Sequence, residues 1–92
     1  MSERTYRARV DVRLEANVND PQGNAVREGL HSLGHEDVGA VRIGKIVELT
    51  LQATDAEAAR ARVDRMCHEL LANPIIESFD IEVAEAEEAQ GA

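Results

Sequence analysis

The chain has 92 residues and a formal net charge of −8, so it is expected to fold as one domain and to avoid nucleic acid and anionic membranes. Because 14 of its apolar residues are alanine, the core is predicted to be small and to gain stability from association between copies. The single Cys67 excludes an internal disulfide, and a polar start without an apolar run of about 20 residues predicts a cytoplasmic protein.

The first predicted element is a strand over residues 6–14, in which apolar and charged side chains alternate. A charged outer face is typical of an antiparallel sheet that has helices on its other face. Asp20 and Pro21 then predict the N-cap and first residue of a helix that runs to about residue 33. The apolar stripe expected to face the core consists of Val26, Leu30 and Leu33.

The middle of the chain predicts two strands, over residues 38–44 and 46–53. Gly44-Lys45 either forms a tight turn between them or marks a glycine kink in one bent strand. A capping box from Thr54 to Glu57 predicts the start of the second helix, which Asn73-Pro74 ends. Its predicted buried stripe consists of Ala59, Val63, Met66, Cys67, Leu70 and Leu71.

The last predicted strand covers residues 75–83, with Phe79, Ile81 and Val83 facing the core. Residues 84–92 form an acidic tail that is expected to be disordered, which leaves residues 1–83 as a single domain. The element order βαββαβ predicts an α+β two-layer sandwich of ferredoxin-like type. In that fold, a four-stranded antiparallel sheet carries two helices on one face.

Motifs that could carry chemistry give no predicted catalytic, cofactor-binding or metal site. Residues 39–46 copy part of a phosphate-binding loop, but Ile46 stands where Ser or Thr would bind Mg²⁺, and a strand follows instead of a helix. His31 and His35 have the spacing of helical metal ligands, yet a glycine that ends the helix lies between them. Cys67 continues the apolar stripe of the second helix and is predicted to pack in the core.

Several polar residues are candidates for contacts between subunits. Glu77 shares the strand face of Phe79, so it either precedes the sheet and is solvated or meets a cation. Arg42 and Lys45 flank a glycine in the predicted hairpin and serve either as plain surface charge or in subunit contacts. The candidate subunit or partner interface consists of Arg42, Lys45, Asn73, Pro74, Ile76 and Glu77.

Three segments together resemble one family. They are Asp20-Pro21-Gln22-Gly23, Arg42-Ile43-Gly44-Lys45 with Glu48-Leu49 after it, and the run from Cys67 through Asn73-Pro74 to Phe79. In order and spacing these segments resemble PurS, the small subunit of phosphoribosylformylglycinamidine synthase. The resemblance covers roughly residues 4–83, and the run from Cys67 to Phe79 is its most specific part.

The resemblance implies a non-catalytic subunit in purine biosynthesis. In that family a large synthase subunit uses ATP and Mg²⁺, a separate amidotransferase subunit releases ammonia from glutamine, and the small subunit docks the two and assists ammonia transfer. The resemblance also implies a homodimer or tetramer that binds no cofactor itself. The alternative function is a ligand-sensing regulatory domain, because small βαββαβ modules of that class have the same element order.

Overall fold

The computed structural model describes residues 3–86, and these residues form one antiparallel sheet with two α-helices. The elements are β1 (Arg4–Leu14), α1 (Pro21–Ser32), β2 (Gly44–Ala53), α2 (Ala56–Met66), a π-helical turn (Cys67–Leu71) and β3 (Glu77–Glu85). The strand order is β2-β1-β3, so β1 pairs on both sides and the other two strands are edges.

The predicted alternation along β1 is confirmed. Tyr6, Ala8, Val10 and Val12 are buried on one face of the sheet. Val10 pairs with Val47 of β2 and with Ile81 of β3, so apolar side chains meet across all three strands on this face. The opposite face carries the charged residues of β1.

Helix α2 lies on the apolar face of the sheet. Ala59 and Val63 are fully buried there, as is Cys67 in the turn that follows. The N-cap of α2 is Asp55, whose carboxylate accepts a hydrogen bond from the Ala58 N–H at 2.7 Å. The predicted capping box at Thr54 is therefore wrong by one residue, because the carboxylate of Asp55 takes the capping position.

The π-helical turn changes which side chains of the second helix are buried. The Ala72 N–H bonds to the Cys67 carbonyl at 3.0 Å, five residues back instead of four. The wider turn rotates the next side chains, so Leu70 is 83% exposed while Leu71 packs against the core. The prediction that Leu70 is buried is wrong, whereas the predicted burial of Cys67 is confirmed.

Helix α1 has the predicted bounds but not the predicted packing. Among the described residues, the core cluster contains no side chain of Pro21–Ser32. Val26 is 40% exposed and Leu33 is 77% exposed. The prediction of two helices on one face of the sheet is therefore wrong for α1 within a single chain. The molecule is correspondingly long, with extents of 57 × 32 × 16 Å.

The predicted four-stranded sheet is also wrong, since the described part of the chain has three strands. Residues 38–43 form no strand, because the Val38 carbonyl accepts from His31 and the Ile43 N–H donates to Asp20. Those backbone groups are not available to a ladder. Strand β2 begins at Gly44, which replaces both the predicted turn and the predicted kink at that glycine.

The last strand is shifted by two residues relative to its prediction. It begins at Glu77 and continues through Ala84 to Glu85, two residues of the predicted tail. Phe79, Ile81 and Val83 pack against the core, as predicted. The rest of the expected tail, residues 87–92, lies outside the described residues.

Candidate functional site

The three segments that carry the family resemblance meet at one end of the sheet. The Glu15 N–H donates to the Ile76 carbonyl at 2.8 Å, and the Glu15 carbonyl accepts from Nη2 of Arg42, also at 2.8 Å. The Ile43 N–H donates to the Asp20 carboxylate at 2.8 Å. We call this region, made of residues 15–23, 41–45 and 73–77, the motif end.

Asp20 is the central residue of the motif end. Its side chain is 4% exposed, and it is the only buried charged residue in residues 3–86. One oxygen accepts from the Gly23 N–H at 2.9 Å, which caps α1, and the other accepts from the Ile43 N–H at 2.8 Å. These two backbone donors, Ile43 first, hold the pKa of the Asp20 carboxyl below its usual value of 3.8. Asp20 thus remains an anion that joins two segments of backbone.

Two glycines let the backbone segments of the motif end approach closely. A Cβ atom on Gly23 would overlap the carbonyl oxygen of Val41, so a side chain there would displace the loop that enters β2. A Cβ atom on Gly44 would lie 2.7 Å from the Val12 carbonyl oxygen of the neighbouring strand. The first turn of α1 and the start of β2 therefore fit against their neighbours only with glycine at these two positions.

The turn before β3 is closed by side chains as well as by backbone. Oε1 of Glu77 accepts from the Asn73 N–H at 2.6 Å, and Oδ1 of Asn73 accepts from the Ile75 N–H at 3.1 Å. The Asn73 carbonyl accepts from the Glu77 N–H at 2.7 Å. Within residues 3–86 Glu77 forms no ion pair, and its half-buried carboxylate instead caps the turn that contains Pro74.

The six predicted interface residues all lie at the motif end. Arg42 and Lys45 are exposed, although they lie on the loop before β2 and at its start instead of on a hairpin. Pro74 is exposed in the turn, and Ile76 is 37% exposed beside Glu15. Asn73 and Glu77 are joined by the hydrogen bonds of that turn. The structure thus brings together residues from segments that are about 30 positions apart in sequence.

A small cleft of about 170 Å³ opens between the three segments. A larger groove of about 780 Å³ lies beside it, and Lys45 lines both. No ion pair involves Lys45 within residues 3–86. The cleft is lined by Val12, Leu14, Asp20, Gln22, Ile43, Gly44, Lys45 and Glu77. Backbone edges, a free ammonium group and exposed apolar atoms at this cleft can all contact another protein.

The remaining candidates from the sequence lie elsewhere or serve the fold. His31 bonds to the Val38 carbonyl at 2.8 Å through Nε2 and so closes the loop after α1. Burial raises the pKa of the Cys67 thiol, and the charge of Asp64 adds to this effect. Residues 3–86 contain no cluster of three His, Cys, Asp or Glu side chains that could hold a metal ion. In the same range, no helix is long and apolar enough to cross a membrane.

Sequence reasoning missed the second role of Asp20. The Asp-Pro pair predicted the helix cap, but the bond to Ile43 joins positions 23 residues apart. Periodicity and local motifs cannot reveal such a contact. The signal that could have raised the question was Gly23 in the first turn of a helix, where a glycine is unfavourable unless another segment lies close to it.

The fold and its motif end define a class first. The chain is a small α+β protein in which α2 packs on one face of a three-stranded antiparallel sheet. The segments that connect its helices and strands meet at one end of this sheet, the motif end. The family model described as PurS, Phosphoribosylformylglycinamidine (FGAM) synthase, matches residues 7–85. The chain belongs to the PurS family.

Relatives with known sequences and structures agree over nearly the whole chain. The PurS subunit of Synechocystis is 46% identical over 85 residues, which are 92% of this chain and 85% of the relative. The crystal structure of Bacillus subtilis PurS is 45% identical, with a TM-score of 0.78 over 87% of this chain and 99% of the other. A chain in the structure of PurLQS from Thermotoga maritima is 30% identical, with a TM-score of 0.77 over 87% and 98%.

Proposed function

We propose that this chain is the PurS subunit of a phosphoribosylformylglycinamidine synthase and docks its synthase and amidotransferase subunits. The observation that carries the proposal is the meeting of all three family motifs at the motif end. The relatives described above are PurS subunits, and one solved relative belongs to a structure of PurLQS. These relatives favour a subunit of a synthase over a ligand-sensing domain.

The motif end is the surface that we propose for the partner subunits. It presents exposed Arg42 and Lys45 beside apolar Ile75, which is 86% exposed, and the partly exposed Ile76. A mixed surface of this kind, with apolar atoms surrounded by charged groups, is typical of interfaces that form between separately folded subunits. Docking there would hold the two active sites at a fixed distance while ammonia passes from one to the other.

The chemistry of the reaction is assigned to the partners. The synthase subunit would use ATP and Mg²⁺ to activate formylglycinamide ribonucleotide, and the amidotransferase subunit would release ammonia from glutamine. The PurS chain itself is proposed to bind no cofactor. Its contribution would be to hold the other two subunits together, so its effect on the rate should depend on where the ammonia comes from.

A second copy of this chain is the partner that we propose for α1. Val26, Leu30 and Leu33 form an apolar stripe that the described part of the chain leaves outside its core. The core itself is small, and a domain of this size gains stability when further apolar area is buried between copies. Covering the stripe of α1 would bury this area, which supports a homodimer or tetramer.

The test reconstitutes the complete complex from purified subunits. Synthase and amidotransferase are assayed with and without this chain, first with glutamine and then with excess ammonium chloride, and gel filtration reports whether a ternary complex forms. We expect omission of the chain to lower product formation with glutamine and to leave the ammonium reaction nearly unchanged. Equal loss with both nitrogen donors would contradict the docking function.

A charge reversal locates the docking surface. Lys45→Glu, at the motif end, is expected to weaken the ternary complex at least tenfold, because it places a carboxylate where an exposed ammonium group stands. Arg65→Glu, on the exposed side of α2, is the matched control and should leave the complex within twofold of the wild type. Equal affinities for both variants would remove the motif end as the proposed partner surface.

A further inference from the structure

The direction in which α1 leaves the sheet is not set by apolar packing within the described part of the chain. Gly23 is the only buried residue of Pro21–Ser32, and α1 contributes no side chain to the core cluster. A helix held in this way would ordinarily be free to pivot about its first turn. Something other than core packing must therefore define its angle to the sheet.

Asp20 supplies that connection through its two carboxylate oxygens. One oxygen binds the Gly23 N–H inside α1, and the other binds the Ile43 N–H one residue before β2 begins. The first turn of the helix and the residue just before the edge strand are thus held by one buried side chain. Since hydrogen bonds to an ionised acceptor are stronger than those between neutral groups, the carboxylate suits this link better than an amide or hydroxyl group would.

Two neighbouring contacts also restrict the position of α1. A Cβ atom on Gly23 would overlap the Val41 carbonyl oxygen, so the Val41 backbone stands close to the first turn of α1 and restricts its tilt toward the loop. At the far end of α1, His31 bonds to the Val38 carbonyl at 2.8 Å and keeps the returning loop close to the helix. The helix is therefore tied to the loop that enters β2 at both of its ends, and the tie nearer the sheet depends on Asp20.

We propose that Asp20 is a positioning residue for assembly: it fixes the angle of α1 so that the apolar stripe of this helix meets a second copy of the chain. This inference rests on the proposed role of α1 in association. It adds that association requires a helix already held at its final angle. Since ordering a mobile segment during binding costs affinity, loss of the link weakens association even where the stripe is intact.

Asp20→Asn tests the link selectively. Asparagine caps helices as well as aspartate does, so its carbonyl oxygen can still accept from Gly23. Its amide group then faces the Ile43 N–H, donor against donor, and that bond is lost. Asp55→Asn is the matched control, because the N-cap of α2 uses one oxygen for one bond to Ala58 and the helix is held by core packing.

Two measurements are made on the full chain. Sedimentation equilibrium gives the dissociation constant of the oligomer, and residual dipolar couplings of backbone amides give the angle between α1 and the sheet. We expect Asp20→Asn to raise the dissociation constant at least tenfold and to reduce the couplings of α1 but not those of the sheet. Asp55→Asn should change the dissociation constant less than twofold.

The outcomes separate this inference from the function on which it rests. If Asp20→Asn leaves either the dissociation constant or the couplings of α1 unchanged, the positioning role is overturned. If Leu33→Asp, which places a charge on the stripe, leaves association unchanged, the proposed role of α1 fails whatever Asp20 does. Should Asp20→Asn not fold, Asp20→Ser replaces it, since serine caps the helix but is too short to reach Ile43.

Discussion

Helices α1 and α2 are nearly equal in length, and both begin at an aspartate N-cap, yet they are held in opposite ways. Helix α2 buries Ala59 and Val63 against the sheet. Helix α1 is tied through the carboxylate of Asp20 and leaves Leu33 77% exposed. One helix thus belongs to the core of the chain, and the other is a projecting surface whose angle is set by polar contacts.

The difference shows that an apolar stripe predicts that one face of a helix is buried, but not whether the same chain or another chain covers it. The stripes of both helices predict a buried face. On α2 the sheet of the same chain covers that face, whereas on α1 the described part of the chain does not. In a small subunit, such an uncovered stripe identifies a surface that is available to another chain.

The largest expected effect comes from removing core volume under α2. Val63→Ala deletes two methyl groups from a fully buried site, so it should lower the free energy of unfolding by about 2 to 3 kcal/mol. Val26→Ala makes the same chemical change on α1, where the side chain is 40% exposed, and should change it by less than about 0.5 kcal/mol in the unassociated chain. Urea unfolding at two protein concentrations measures both.

Concentration sharpens this comparison. The effect of Val63→Ala should be the same at both concentrations, because its cavity lies within one chain. The effect of Val26→Ala should grow at the concentration where copies associate, since α1 is then proposed to be covered. Equal losses for the two variants in the dilute sample would show that α1 packs on its own sheet after all.

The next effect compares two glycines of α1, one that lies close to neighbouring backbone and one that has no atom near it. Gly23→Ala should destabilise the chain by about 1 to 3 kcal/mol, because the added methyl group overlaps the Val41 carbonyl. Gly29→Ala adds a methyl group where no atom lies within 4 Å and should stabilise it by about 0.5 to 1 kcal/mol through helix propensity. Thermal unfolding of both variants checks the two signs, and a stabilising Gly23→Ala would mean that the contact with Val41 is loose.

Much of the fold could be predicted from local patterns. The alternation in β1, the Asp20-Pro21 start of α1 and the inward face of β3 depend on neighbouring residues, and the structure confirms all three. The predictions failed where a distant residue decides the outcome. Residues 38–43 are rich in β-branched and aliphatic side chains, but hydrogen bonds to His31 and Asp20 keep their backbone out of the sheet.

The candidate site shows the same division. Its residues could be selected from the sequence because unusual types stand in unusual places, such as Glu77 on an apolar strand face and Asn73 before a proline. Their meeting at one end of the sheet could not be derived from spacing, because it depends on the pairing of Leu14 with Glu77 and Arg13 with Gly44. The π-helical turn that exposes Leu70 likewise left no signal in the periodicity.

The smallest and most specific expected effect is the loss of stability in acid that follows when the carboxylate of Asp20 is protonated. Backbone donors hold the pKa of this carboxyl below the value of the unfolded chain. In the window between the two pKa values the unfolded state binds more protons, so stability rises with pH there. The contribution of Asp20 to stability is therefore complete above its ordinary pKa of 3.8 and is lost as the pH falls through the lower folded pKa.

Asp20→Asn removes this titration, so the stability difference between wild type and variant should be constant above about pH 5 and should shrink in stronger acid. Urea unfolding between neutral pH and pH 2 measures the difference, and the carboxyl ¹³C shift of Asp20 reports its folded pKa directly. Asp55→Asn serves as the reference for removing one N-cap carboxylate. A stability difference that stays constant down to the lowest pH, or a carboxyl that titrates at its ordinary pKa, would show that the hydrogen bonds from Ile43 and Gly23 do not favour the anion. In that case α1 would need another anchor at its start.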